Sequence, residues 1–314
     1  MPSVSSTFAE PASLAEAADL LREASTSRRS VSIERGGGEL VLRTARLSRI
    51  LEHEAGDLTA TVEAGLRLSK LQDALAEHGQ IFALDPPGDP TIGACLAGNL
   101  SGPRRHRYGA ARDLVLGMTV VLPDGTVASS GGKVVKNVAG YDLGKLFCGS
   151  RGTLGLIARV SLRLHPRPAV ARTLVTEVGG AGDAQRLAQA LLTSTLVPSA
   201  IDLLWPGRLA LLLEGTERAV TAQAETAAAL LRARPDDGSV WTEVARRQSA
   251  AAGRLSFPPG RLAETLAPLG EALVRVGPGL AYLPHPGPAS ADEAVLRLGE
   301  RVRSRFDPEG VLVP

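Results

Sequence analysis

The sequence is poor in aromatic residues: Phe, Tyr and Trp together make 3% of 314 residues. A surface that stacks single-stranded bases needs aromatic platforms, so that class of function is disfavoured. Cysteine is scarcer still, with only Cys95 and Cys148, and neither lies in a CxxC or a cluster. An iron–sulfur centre held by this chain alone would need about four thiolates and is excluded. Nothing supports a disulfide, and a reduced, cytosolic setting is expected. Long apolar runs are missing too. None approaches the roughly 18 residues of a membrane span. The opening MPSVSSTFAEPASLAEAADLL has no basic segment followed by an apolar one, so it does not read as a signal peptide. His53, His78, His106, His165 and His285 are scattered, with no HxH or HxxxH pair for a metal. An excess of one charge is absent as well: 35 basic residues face 33 acidic ones, for a net charge of +2. The basic pI is a near balance of many charges, and nucleic-acid binding is not expected.

What is present is a large apolar fraction, 44%, with 22% charged residues. That is a soluble globular composition with material for a sizeable core, and the length suggests about two domains. Ser13-Leu14-Ala15-Glu16 is a capping box, and Leu14, Ala17, Ala18 and Leu21 follow at helical spacing, so a helix is predicted to about Ala24. Val31–Glu34 reads as a strand running into Arg35-Gly36-Gly37-Gly38. Those glycines are either a phosphate loop, with flexible N–H donors beside Arg35, or a tight hairpin turn before Leu40–Arg43. Leu58–Ala64 is a strand, Ser69 is predicted to cap the next helix, and Gly79 to end it. Gln80–Leu84 is a further strand.

Asp85 to Pro168 carries three glycine-rich turns, each beside an apolar run. The first leads from Thr91-Ile92-Gly93 to Asn99-Leu100-Ser101-Gly102. A short helix is predicted to start at Thr91, with free N–H groups suited to a phosphate. The second runs from Gly131-Gly132-Lys133, past Lys136 and Asn137, to Gly140-Tyr141-Asp142-Leu143. Its GGKVVK lacks the spacing and the Ser or Thr of a Walker A loop. The third is Gly149-Ser150-Arg151-Gly152-Thr153-Leu154-Gly155. Glycine lets a backbone approach a ligand closely, and three such turns point to a long anionic ligand with the shape of a dinucleotide. Arg104-Arg105-His106-Arg107 is either a site for an anionic substrate or acidic partner, or a solvated loop. Pro123-Asp124-Gly125-Thr126 is a hairpin signal. After Ala169 the composition turns to Ala, Leu and Arg. Strands are predicted at Leu174–Val178, Ile201–Leu204 and Leu209–Glu214, and helices at Ala184–Leu192, Thr221–Arg232, Leu262–Leu266 and Val295–Arg305. Gly179–Gly182 is a loop rather than a Rossmann turn, because the last glycine is missing. Arg234–Gly238 reads as a turn. No Ser/His/Asp arrangement stands out, and no catalytic residue is assigned.

The order of these pieces resembles the FAD-binding domain of the vanillyl-alcohol-oxidase/PCMH flavoprotein superfamily. The segments SGPRRHRYG, RDLVLG and GGKVVKNVAGYDLGKLFCGSRGTLGLI are most similar to FAD-binding E subunits of bacterial glycolate oxidases. The resemblance covers about residues 58–168 and returns at FDPEGVL. It implies an α+β fold, with a PCMH-type two-part FAD-binding domain over 1–168 and a smaller α/β cap domain over 169–290. A C-terminal segment, 291–314, would pack back on the first domain. It implies FAD as cofactor, touched by Arg35, Gly36, Gly37, Gly38, Pro86, Pro87, Gly88, Thr91, Ile92, Gly93, Asn99, Ser101, Gly102, Arg112, Asp113, Gly149, Gly152, Thr153, Gly155 and Ile157. In the family Pro86-Pro87-Gly88 would lie under the flavin, and the backbone at Ile157 would bond the cofactor's edge. Arg104 and Arg105 are the candidates for substrate or partner contact.

The implied activity is FAD-dependent oxidation of a 2-hydroxy acid such as glycolate or D-lactate. The implied partners are a catalytic FAD-linked D-type subunit and an iron–sulfur F-type subunit. The setting would be cytoplasmic, or the inner face of the membrane through those partners. Three departures stand out. After Gly38 the family usually continues with Thr or Ser, Lys and a longer segment, whereas here Glu39 follows at once, an acid beside a phosphate loop. The asparagine usual before the last proline is Val313. The histidine-rich, metal-linked motif of catalytic relatives is missing. A non-catalytic subunit that kept the fold to assemble a catalytic homologue is therefore the alternative.

Overall fold

The computed structural model describes residues 6–132, 143–288 and 293–313. Lys133, Lys136, Asn137, Gly140, Tyr141 and Asp142 of the second glycine turn lie outside the described residues.

Helix α1, Leu14–Thr26, starts where its capping box dictates. Ser13 Oγ accepts from Glu16 N at 3.1 Å, and Glu16 reaches back to Ala12 N at 2.8 Å. Ala17, Ala18, Leu21 and Ala24 form its buried stripe. The stripe lies on a small parallel sheet of β1 (Thr7–Ala9), β3 (Leu40–Leu42) and β2 (Val31–Ile33), in that order. The parallel pairing of β2 with β3, Val31 opposite Leu40, rules out a hairpin at Arg35–Gly38. The glycines instead carry the chain back to the same end of the sheet. Gly38 sits so close to β2 that a Cβ there would lie 2.8 Å from Ser32 N. The C-terminal segment joins this sheet: Val31 N donates to Val311 O at 2.8 Å and Val313 N to Val31 O at 2.9 Å.

A five-stranded antiparallel sheet follows, in the order β4 (Ile50–Glu54), β5 (Thr59–Glu63), β9 (Leu156–Arg163), β7 (Val115–Val121), β8 (Val127–Gly131). The β7–β8 hairpin turns at Gly125, whose φ of +81° suits glycine. Helices α2 (Leu68–Ala76), α3 (Ile92–Ala97) and α5 (Leu143–Phe147) cover the sheet, burying Leu71, Leu75, Ile92, Leu96 and Phe147 with Val62, Val120 and Val160. Ser69 does not cap α2. The N-cap is Arg67, and Asp89, twenty positions on, accepts from Ser69 N and Oγ at 2.9 Å each. Strand β6 is only Gln80–Ile81, paired with β10, His165–Pro166.

The remaining chain builds a seven-stranded sheet in which every paired strand is antiparallel. Its order is β14 (Arg234–Asp236), β11 (Val170–Glu177), β13 (Arg208–Gly215), β12 (Ala200–Trp205), β16 (Ala272–Arg275), β17 (Leu280–Leu283), β15 (Gly253–Ser256). Helices α6 (Ala181–Leu192), α7 (Glu217–Leu231) and α9 (Leu262–Leu266) pack with one core, and α8 (Ser239–Ser249) with a second. Arg234–Asp236 is a strand rather than a turn. Its Pro235 is tolerated because β14 is an edge, where a missing N–H breaks no ladder. The last helix, α10, is Glu293–Phe306. Phe306 meets Phe147 edge-on at 5.7 Å, and Asp307 then accepts from Val311 N and Leu312 N, which turns the chain toward β2.

Candidate functional site

A cleft of about 180 Å³ opens between the small parallel sheet, α3 and the start of β9. Its walls come from four stretches far apart in sequence: Ile33–Arg35, Thr44, Gly93–Leu100 and Arg151–Ile157. Among the residues singled out from sequence, Arg35, Gly93, Gly152, Gly155 and Ile157 meet here.

The first glycine turn stands at the mouth. Glu34 through Gly37 are exposed. The N–H groups of Arg35, Gly36, Gly37 and Gly38 have no partner among the described residues, although Glu34 N donates to Leu42 O. A Cβ at Gly36 or Gly37 would meet nothing within 4 Å. A run of unpaired N–H donors beside an arginine, with open space before it, is what an anionic ligand needs. Glu39 does not spoil the loop. Its carboxylate turns back to accept from Ser30 N at 2.9 Å and Ser30 Oγ at 3.2 Å, and the bond from the Ser30 backbone holds it below the usual carboxylate range. Glu34 is the acid that faces the cleft. Its Oε1 accepts from Thr44 N at 2.7 Å and from the Thr44 hydroxyl.

The start of α3 differs from the expectation of free donors. Ile92 N donates to Leu66 O, Gly93 N to Ala64 O, and Ala94 N to Thr91 Oγ. This helix end has no backbone donor to spare. Gly93 is required for packing, since a Cβ would lie 3.0 Å from the Ala64 side chain and carbonyl. The third glycine turn is tied to α3 by Gly149 N to Leu96 O and Arg151 N to Ala97 O, both 2.9 Å. Thr153 Oγ donates to Ser150 O within the turn. Gly152 has φ +81° and Gly155 φ +149°, a region that suits glycine.

Two polar atoms beside the cleft are buried without a hydrogen bond: Asn99 Oδ1 and Ser150 Oγ. Buried polar groups are nearly always paired, so these two oxygens are open to a ligand group or an ordered water. Ser150, Arg151, Glu34 and Thr44 were not singled out from sequence. Only contact across the fold identifies them.

The other expected residues lie elsewhere. Pro86-Pro87-Gly88 forms a turn next to Asp85, apart from the cleft lining. Ser101 and Gly102 lie under the seven-stranded sheet, where Arg275 and Gln248 hold Ser101 O. Asp113 accepts from Ala110 N at 2.8 Å and shapes a short turn, with Arg112 exposed beside it. Arg104 is engaged by Glu214, and Arg105 Nη1 donates to Ser101 Oγ at 3.3 Å. His53 and His78 stack edge-on, and His106 and His165 are held below the usual imidazole range first of all by burial. Among the described residues, no group of three or more His, Cys, Asp or Glu is placed to hold a metal, and no helix is long and apolar enough to cross a membrane.

Residues 6–131 match the family model described as the FAD binding domain. The mitochondrial D-lactate dehydrogenase [cytochrome] 1 of Saccharomyces cerevisiae is 35% identical over 158 residues, covering 50% of this chain and 27% of that protein. Glycolate oxidase subunit GlcE of Escherichia coli is 33% identical over 204 residues, covering 63% of this chain and 56% of that protein. The match thus spans about half of one relative and about a quarter of the other. Among solved structures, an alkyldihydroxyacetonephosphate synthase superposes with a TM-score of 0.72 at 15% identity, covering 97% of this chain and 75% of that one. That likeness shows the fold, a mixed helix-and-sheet architecture. The domain match supports FAD as the cofactor.

Proposed function

We propose that this chain is an FAD-binding subunit of a 2-hydroxy-acid oxidoreductase, with glycolate or D-lactate as the substrate class. Electrons would leave it toward an iron–sulfur partner. The observation that carries the reading is the cleft itself: it is walled by two glycine-bearing segments, Gly93–Leu100 and Arg151–Ile157, and the exposed Arg35–Gly37 turn, with no partner for its N–H groups among the described residues, stands beside it. Arg35 and Arg151 supply positive charge for a pyrophosphate, the buried oxygens of Asn99 and Ser150 are free for polar groups of the cofactor, and Leu156 and Ile157 give an apolar wall. Bound FAD supplies the two-electron redox chemistry. The fragments of sequence shared with a glycolate oxidase subunit and a D-lactate dehydrogenase favour the substrate class.

Cys95 is buried and its thiol pushed up to about 12 by that burial, so it is no cluster ligand as placed. An iron–sulfur F-type partner would have to accept the electrons, and a catalytic D-type subunit would complete the complex. In this reading residues 1–168 bind the cofactor, 169–290 form the cap, and 291–314 return to the first domain. The setting is cytoplasmic, with any membrane contact made through partners.

A second reading is a non-catalytic subunit that assembles a catalytic homologue. The direct passage from Gly38 to Glu39 and the missing histidine-rich motif favour it. The visible spectrum of the purified chain, with acid release of the chromophore, tests the first reading. Near one flavin per chain, bleached by glycolate or D-lactate once partner subunits are added, is the expected result. A colourless chain that takes up no added FAD would leave the second reading.

A further inference from the structure

The two domains meet through a buried charge cluster that the cofactor reading does not use. Arg275 of β16 is 1% exposed. Its Nη1 donates to Ser101 O at 2.9 Å and to Gly102 O, its Nη2 to Gln248 Oε1, and its guanidinium lies over the Tyr282 ring at 5.0 Å. Gln248 of α8 donates to the same Ser101 carbonyl at 2.8 Å. The cap thus grips two carbonyls of the turn that leaves α3.

That turn rests on Asp85. A Cβ at Gly102 would lie 1.7 Å from Asp85 O and 2.2 Å from Oδ1, so the carboxylate is tucked inward although Asp85 as a whole is half-buried. Arg104 N donates to both of its oxygens at 3.2 Å. Asp202 of β12 is 1% exposed, and neither of its carboxylate oxygens has a hydrogen bond; Arg275 Nε is 3.8 Å away.

The charges are unevenly buried. Arg104 is matched by Glu214 at 2.6 Å. Arg105 is half-buried at the edge and bonds Ser101 Oγ, while Arg107 is exposed and donates to Glu214 O. His106 packs beside Gly277, and burial holds it below the usual imidazole range. Fully inside are Arg275 and Asp202, whose carboxylate has no hydrogen bond, with the inward-turned carboxylate of Asp85 beside them. A buried carboxylate without a hydrogen bond is costly, and one proton removes its charge.

We propose that Arg275 with Asp202 and Asp85 forms a proton-linked latch between the domains, closed when the two carboxyls hold one proton between them and loosened when that proton leaves. Burial pushes Asp85 up to about 7, against the pull of Arg104 and Arg275, and burial pushes Asp202 up to about 6. A carboxyl raised in the closed state binds its proton more tightly there than in the open state. Closure is therefore strongest at low pH and is lost as pH rises through the ordinary carboxylate range to about 7.

Hydrogen exchange of the full chain between pH 5 and 8, read as protection factors for residues 101–105, tests this without any activity assay or cofactor. Wild-type protection is expected to fall roughly tenfold per pH unit up to about 7 and then level off. Asp202→Asn removes one buried carboxylate without removing a hydrogen bond, so its profile should be shallower than wild type, with the remaining slope due to Asp85, and its protection at pH 8 at least tenfold above wild type. Arg275→Gln should lower protection at every pH with unchanged far-UV circular dichroism. A flat wild-type profile, an Asp202→Asn slope equal to wild type, or protection at 101–105 untouched by Arg275→Gln would each overturn the latch.

Discussion

Arg104 and Glu214, 110 positions apart, form a two-point ion pair between the turn that follows α3 and strand β13: Nη2 to Oε1 at 2.6 Å and Nε to Oε2 at 3.2 Å. The Glu214 side chain is 2% exposed, and that of Arg104 31%. Removing the arginine leaves the carboxylate buried and uncompensated, which costs far more than the intact pair contributes. Arg104→Met should therefore destabilise the chain by about 3–5 kcal/mol. Glu214→Gln, which keeps an acceptor and drops the charge, should cost less. In chemical denaturation the double variant should lose clearly less than the sum of the two single losses, because the two changes remove one shared interaction.

Ser150 separates a structural role from a cofactor role by the sign of two effects. Its hydroxyl is buried without a partner, so Ser150→Ala removes an unmet polar group and should leave the FAD-free chain as stable as before or slightly more so. If the hydroxyl bonds the cofactor, the same change should weaken FAD by roughly tenfold, the value of about one hydrogen bond. Thermal denaturation without FAD and a flavin fluorescence titration give the two numbers. Unaltered FAD affinity would remove Ser150 from the site.

Local signals in the sequence were enough for some elements and misled on others. The capping box at Ser13–Glu16, the start of α3 at Thr91 and the hairpin at Gly125 were legible, because each depends on residues within a few positions. Ser69 had the right chemistry for an N-cap, yet Asp89 arrives from twenty positions away to bond its N and Oγ, and the helix begins two residues earlier, with Arg67 as its N-cap. The Arg35–Gly38 turn could be a hairpin or a parallel return on sequence alone. The choice is made by β1 and the C-terminal tail, which flank the sheet. Glu39 looked hostile to a phosphate because nothing nearby in sequence shows that Ser30 takes its carboxylate. In the site, the glycines were visible. Glu34, Thr44 and Ser150 were not, since their relevance rests on partners, or a missing partner, that only the fold reveals.

Two glycines from the same expected set should respond in opposite ways. At Gly102 a Cβ would overlap the Asp85 carbonyl, 1.7 Å away, and a backbone atom cannot swing aside. Gly102→Ala should therefore cost about 2 kcal/mol or more and loosen the grip of Arg275 on that turn. At Gly36 a Cβ meets nothing within 4 Å, and the loop is exposed. Gly36→Ala should stay within about 0.5 kcal/mol of wild type in stability, while FAD affinity drops because the methyl occupies space in front of unpaired N–H groups. Denaturation midpoints alongside FAD titration decide both. A Gly102→Ala chain as stable as wild type would mean that the turn lies farther from Asp85 than the structure places it.

Asp307 fastens the end of the chain. It is 4% exposed, and its Oδ1 and Oδ2 accept from Val311 N at 2.9 Å and Leu312 N at 2.8 Å. These bonds shape the turn that brings Val311 and Val313 onto the edge of β2, where they pair with Val31. Val311 and Leu312 then join the core of the small parallel sheet, with Leu21 and Leu42. Asp307→Ala removes two charge-assisted bonds and strands two buried N–H groups, a loss of about 2–4 kcal/mol. Asp307→Asn can keep one acceptor and should fall between Ala and wild type. The effect should be local. Hydrogen exchange should quicken at Val31 and along β2, while the seven-stranded sheet keeps its protection. Since β2 leads directly into the Arg35–Gly38 turn, FAD affinity should fall with it. Loss of stability with FAD affinity unchanged would mean that the turn is held by β3 and Ser30 alone, independent of the tail.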